Sequence, residues 1–336
     1  MRITREALLK VVDNTVTQRI RADRSLLSVY LCGSLLSGDH LMGGSADIDL
    51  VFIHTDSISA EREIVPITDE VHLDIAHHYH RDYRQTRQLR EHPWLGPTVY
   101  ACKILHDPQH FMDFTQASVR GQFYRSDHVL QRSRKFAEQA RQIWMSFYSR
   151  PAEPGPQEVG EYLKAVEHAA NAIASLSGPP LTERRFLLRF PARAEAIGRG
   201  GMYHGLLGLL GAPNVDVATL NGWLDPWQSA FQAVPAESGP ARLHSDRKAY
   251  YQKAFESLLK GEQPNSVLWT MLRTWTQAIK QLESDAPERA EWNTAFEKLG
   301  LVGDGFADRV EAMDAYLDMV EEALDRWGQE NGALLG

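Results

Sequence analysis

Apolar residues recur at helical spacing from the start of the chain. Leu8, Leu9, Val12, Val16 and Ile20 mark one side of a helix over residues 4–22. The pattern then changes. Ser28 to Gly33 (SVYLCG) is a short run of β-formers ended by glycine and predicts a strand. Asp47 to His54 (DIDLVFIH) predicts a second strand and Val71 to Ala76 (VHLDIA) a third. Val99 to Leu105 (VYACKIL) predicts a fourth, stopped by the turn signal Asp107-Pro108. Helical stretches near 57–64 and 80–91 separate the later strands. Strands alternating with helices make an α/β-type unit of about the first 110 residues.

After that the strand signals vanish. Residues 125–149 are long, charged and helical in pattern, and Pro151 to Pro156 (PAEPGP) breaks the chain as a loop or linker. An amphipathic helix over 157–176 is closed by Ser177-Gly178-Pro179-Pro180. Further helices are expected near 246–260, 265–283, 286–298 and 305–327. The fold class expected is α+β: a mixed β-sheet flanked by helices over residues 1–112, then an all-helical domain over 113–336.

Composition narrows the classes. The 336 residues are 43% hydrophobic and 24% charged, as in soluble globular proteins. With Cys32 and Cys102 alone, a disulfide framework or thiolate zinc cage is excluded, and a reducing cytoplasm fits. No apolar stretch reaches the roughly 18 residues of a membrane span. The first 25 residues carry charges throughout, unlike a secretory signal. The net charge of −8 argues against a protein that coats nucleic acid. That charge divides into −3 over residues 1–112, +4 over 113–199 and −9 over 200–336. The plain reading is uneven surface charge; the sharper one gives the middle to an anion and the end to a cation.

The chemistry concentrates in GSLLSGDHLMGGSADIDLVFIH, residues 33–54. Side chains alternate along a strand, so Asp47 and Asp49 share a face, and Ile48, Leu50 and Phe52 take the other. Two carboxylates held together cost energy that a divalent cation removes, and hard oxygen ligands suit magnesium. Asp74, between Leu73 and Ile75, is a third carboxylate that needs a partner or a metal if buried. Were its strand to neighbour the first, three carboxylates would converge, an arrangement that supports two-metal phosphoryl chemistry. Gly33 lets a backbone approach a phosphate closely, and the hydroxyl and N–H of Ser34 can hold its oxygens. A helix starting just after it would add its positive end.

Gly-Ser, a loop, Asp-x-Asp on a strand and a later single aspartate on another strand resemble the nucleotidyltransferase superfamily that includes DNA polymerase beta. The helical second part makes the chain look most like the aminoglycoside nucleotidyltransferases and their uncharacterised relatives. The motif resemblance covers residues 28–76; over 113–336 it is architectural only. It implies a nucleotidyltransferase-type sheet and a helical domain that completes the substrate site. It implies transfer of a nucleoside monophosphate, AMP by default, from a magnesium–nucleoside triphosphate to the hydroxyl of a small acceptor such as an aminoglycoside. Pyrophosphate is released, two Mg2+ ions take part, and antibiotic resistance is the corresponding role. Asp47, Asp49 and Asp74 match the metal ligands and catalytic carboxylates, Gly33 and Ser34 the triphosphate-binding pair. The resemblance also brings a homodimer that completes the cleft. Ser45 departs from the pattern, standing one residue before the position where many relatives carry serine. A protein or tRNA hydroxyl is the rival acceptor, and the acidic end disfavours nucleic acid. The non-catalytic alternative is a nucleotide-sensing, antitoxin-like member of the fold.

Other residues invite weaker readings. Lys164, Glu167, His168, Asn171 and Ser175 share one side of the helix at 157–176, a solvated face by default, with Lys164 a nucleotide-binding candidate. Arg184 and Arg185 could clamp phosphate, although surface arginines are commoner. His77, His78 and His80 have zinc-ligand chemistry but no evident distant partner. Asp314, Asp318, Glu322 and Asp325 line one side of the final helix, a solvated face unless it borders a cleft that attracts a polycation.

Overall fold

The computed structural model describes residues 3–38, 40–55, 58, 60–149, 154–235 and 239–333. The chain divides into two compact units, Met1–Arg125 and Ser126–Gly336.

The first unit opens with α1 (Arg5–Ala22), whose N-cap Thr4 accepts the N–H of Ala7 through its side chain. β1 (Leu26–Cys32), the single turn α2 (Ser34–Ser37), β2 (Ala46–His54), β3 (Arg62–Thr68) and β4 (Val71–Tyr79) follow. Then come α3 (Thr86–Glu91), α4 (Leu95–Ala101), β5 (Lys103–His106) and α5 (Phe111–Arg120). The strands form one five-stranded sheet in the order β3-β4-β2-β1-β5. β2 and β4 run parallel and the other neighbours antiparallel, so the sheet is mixed.

Period-two alternation gives this sheet two buried faces. On one, Val29, Leu31, Ile48, Leu50, Phe52, Leu73 and Ile75 pack with Leu8, Val12 and Val16 of α1 and Leu35 of α2. On the other, Tyr30, Val51 and Ile53 pack with Tyr83, Leu89, Val99, Met112 and Val119. Each such side chain contributes roughly 1.5–3 kcal/mol by leaving water. Asp47, Asp49 and Asp74 lie in register with this second face, at its polar end.

Three expectations are corrected. The helix near 57–64 is replaced from Arg62 onward by β3; Asp56, Ser57 and Ser59 lie outside the described residues. β3 is an edge strand, largely exposed, so its sequence REIVPIT lacks a clean apolar face, and Pro66 is tolerated because only one neighbour needs pairing. In VYACKIL, residues Val99 to Ala101 end α4 instead, and only Lys103–His106 is a strand. Packing of α4 decides this over β-propensity, since Val99 is fully buried among helical neighbours. Finally, α5 belongs to the first unit, through Met112 and Val119.

The second unit is helical: α6 (Ser126–Ser149), α7 (Pro156–Ala174), α8 (Phe186–Glu195), α9 (Met202–Leu209), α10 (Val217–Gly222) and α11 (Leu224–Ala233) come first. They are followed by α12 (Lys248–Leu259), α13 (Val267–Lys280), α14 (Glu288–Lys298) and α15 (Gly305–Glu330). Of the expected loop, Pro151 to Glu153 lie outside the described residues, and Pro156 opens α7. Among the described residues no helix is long and apolar enough to cross a membrane.

α7 is surrounded by α6, α13 and α15, and this overturns its expected solvated face. Glu167, His168, Asn171 and Ser175 are all buried, while Lys164 alone of that set is exposed. Asn171 earns its place by a two-way bond to the backbone of Leu181, donating at 3.1 Å and accepting at 2.6 Å. Glu167 is paired with Arg273.

Candidate functional site

Parallel pairing of β2 with β4 sets Asp49 beside Asp74 and Asp47 beside His72. Because i and i+2 share a face, all three carboxylates point the same way, and each offers an oxygen within 4.8 Å of the others. Asp47 is 9% and Asp74 2% exposed, so their charges sit largely out of water. Like charges at this range need a cation.

Part of that cation is already present. Arg62 of β3 grips both oxygens of Asp74, with Nη2 donating to Oδ2 at 2.7 Å and Nε donating to Oδ1. Such a two-pronged bond fixes the carboxylate plane as well as its charge. Sequence reasoning missed Arg62. The only available signal was an arginine heading a segment rich in β-branched residues, and its partner depends on strand order.

Gly33 stands at the end of β1 with φ of 75°. A Cβ built there would fall 1.8 Å from Asp49 Oδ2, so the carboxylate rests directly against the glycine backbone. The hydroxyl of the next residue, Ser34, is buried and has no hydrogen-bond partner among the described residues. The expected helix after this pair is a single turn, Ser34–Ser37. Cys32 completes the edge: its thiol points to the carbonyl of Asp49 at 3.7 Å, and burial, reinforced by the charge of Asp49, pushes its pKa well up, which keeps it protonated.

Ser45 has a local role. Its Oγ donates to the carbonyl of Met42 at 3.0 Å, closing a turn whose central residues Gly43 and Gly44 have φ of 59° and 79°. Both central residues at positive φ is the tight-hairpin geometry that glycine permits, and it leads the chain into β2.

The histidines do not converge. His78 accepts or donates with the Tyr83 hydroxyl at 2.5 Å, and burial lowers its pKa. His80 lies beside Arg84, and His77 faces the opposite side of the sheet from Asp74. Among the described residues the only close group of three metal-capable side chains is Asp47, Asp49 and Asp74, so the zinc reading falls away.

Other sequence candidates lie in the second unit. Lys164 is exposed on α7. Arg184, read as a surface arginine, is 1% exposed; its guanidinium lies 3.4 Å above the Tyr250 ring and Nη1 donates to the Tyr250 carbonyl. Arg185 is half-buried. The acidic side of α15 is knitted to arginines of its own unit. Arg141 bonds Asp314, Asp318 and Glu321, Arg134 bonds Asp325, and Arg199 bonds Glu322. That stripe therefore lends little support to a polycationic acceptor.

No protein-family model matches the chain, and no curated protein matches it.

Proposed function

We propose that this chain is a magnesium-dependent nucleotidyltransferase. It moves a nucleoside monophosphate, AMP in the first instance, from a nucleoside triphosphate to the hydroxyl of a small acceptor such as an aminoglycoside. The observation that carries the reading is the convergence of Asp47, Asp49 and Asp74, three carboxylate oxygens within 4.8 Å of one another, beside Gly33 and the unpartnered Ser34 hydroxyl. The donor set is all carboxylate oxygen, which fits magnesium.

Asp47, Asp49 and Asp74 would hold the divalent ions, which neutralise the triphosphate and acidify the acceptor hydroxyl. Gly33 leaves room for a phosphate to approach the backbone, and Ser34 offers its buried hydroxyl to a phosphate oxygen. The acceptor oxygen bonds to the α-phosphorus as the bond to the pyrophosphate oxygen breaks. Asp74 can take the acceptor's proton only by giving up one prong of Arg62, since both its oxygens are engaged.

The test is transfer from α-labelled nucleoside triphosphates, with magnesium, to a panel of aminoglycosides, tRNA and proteins. Transfer that disappears in Asp47→Asn and Asp49→Asn is expected. Transfer retained in both variants would refute the assigned roles, and nucleotide binding without turnover on any acceptor would favour a sensor.

A further inference from the structure

In the second unit, α7 and α13 pack side by side and run in opposite directions: Glu167 meets Arg273, and Gly160, two turns earlier, faces Lys280. Lys164 and His168 are four residues apart on α7 and share a face beside this pair. Arg273 Nη1 donates to Glu167, and the guanidinium lies 5.5 Å from the centre of the Trp269 ring. The Arg273 side chain is 23% exposed and Lys164 is exposed, so this end of the seam opens to solvent. His168 closes the inner end. It is 7% exposed, and its Nδ1 is out of reach of solvent with no hydrogen-bond partner among the described residues. Thr270 lies one turn before Arg273 on the same side of α13, and its buried hydroxyl is likewise unpartnered among the described residues. α6 adds the Phe136 ring, whose centre is 5.7 Å from that of His168.

Two buried polar groups without partners are costly, and a group with lone pairs relieves both. Charge says what kind of group. Lys164 and Arg273 bring two positive charges here, and Glu167 brings one negative. Burial, then the charges of Lys164 and Arg273, hold His168 neutral and lower its pKa to about 4. A water molecule would satisfy the hydrogen bonds and leave that repulsion in place. An oxyanion would accept from all four side chains and cancel it. Arg273 can contribute because one N–H serves Glu167 while the guanidinium carries four more.

We propose that the seam between α7 and α13 holds a small oxyanion, a phosphoryl, sulfate or carboxylate group, bound by Lys164 and Arg273 at its mouth and by His168 and Thr270 at its floor. With a dianion in place, His168 takes up a proton and donates from Nδ1. The site lies wholly within the second unit, so it stands whether or not Asp47, Asp49 and Asp74 hold metal.

NMR of the His168 ring in the full chain tests this, with sulfate, phosphate or acetate added against chloride at equal ionic strength. Sulfate should move the ring signals and raise the pKa of His168. Its own charge does not change between pH 6.5 and 5, so its affinity should rise about tenfold over that interval through the proton taken up. A stronger response to sulfate and phosphate than to acetate assigns a phosphoryl ligand, and the reverse a carboxylate. Lys164→Gln, at an exposed position, should weaken sulfate binding about tenfold. His168→Gln should remove the pH dependence. Ring signals that no oxyanion moves, an equal response to chloride, or unchanged sulfate binding in Lys164→Gln would overturn the proposal. The wild-type titration needs no variant to fold.

Discussion

Arg62 holds Asp74 by both carboxylate oxygens, so one of the three converging acids already has its counter-charge while Asp47 and Asp49 stand beside it. Arg62→Ala should remove the two-pronged guanidinium bond from the buried Asp74 carboxylate. With the guanidinium itself nearly half exposed, a loss of about 1–3 kcal/mol in unfolding free energy is expected. Added magnesium or manganese should restore more stability to this variant than to the wild type. Calorimetric unfolding with and without metal checks both, and an equal metal effect in the two proteins would sever Arg62 from the site's charge balance.

Divalent ions should stabilise the wild-type chain against unfolding, by about 3 kcal/mol at a hundredfold excess over the dissociation constant. Asp47→Asn and Asp49→Asn should lose that response. Each should also be as stable as the wild type or more so without metal, because one of the mutually repelling charges is gone. Thermal unfolding across a magnesium series reads this directly.

Gly33→Ala places a methyl group where Asp49 Oδ2 now lies, at a backbone φ of 75°. A cost of about 2–4 kcal/mol is expected, part from the left-handed backbone and part from displacing the carboxylate. Only the second part should vanish in an Asp49→Ala background. A double-mutant cycle measures the coupling; additive costs would mean the two residues do not meet.

His168 is buried beside Lys164 and Arg273, and burial with those charges lowers its pKa to about 4. The folded state keeps it neutral while the unfolded chain takes a proton near pH 6.5, so this stability is full above pH 6.5 and falls as the pH drops toward 4. Between pH 7 and pH 5 the loss from this residue is about 2 kcal/mol. His168→Gln should flatten that part of the pH profile, measured by denaturant unfolding at each pH.

The local rules carried part of this far. Alternation along DIDLVFIH places Asp47 and Asp49 on one face from the residues alone, and β2 holds them there. The oddity of Asp74 inside VHLDIA was equally visible. Its conversion into a cluster was not, because that required β4 to pair in parallel with β2 in the register Asp49 to Asp74. A one-residue slip would have turned Asp74 to the opposite face.

The same division explains the errors. Glu167, His168 and Asn171 look like a wet helix face because their own helix supplies no reason to bury them; α6, α13 and α15 supply it from far along the chain. Arg62 fell in a stretch near 57–64 expected to be helical, and its bond to Asp74 exists only because β3 takes the edge beside β4. Spacing between near neighbours is set by the backbone's own geometry, so the sequence alone determined which acids could share a strand face and where the glycine must stand. Partners brought from distant segments are chosen by packing and strand order, so the tertiary structure alone decided that three acids meet and that an arginine balances one of them.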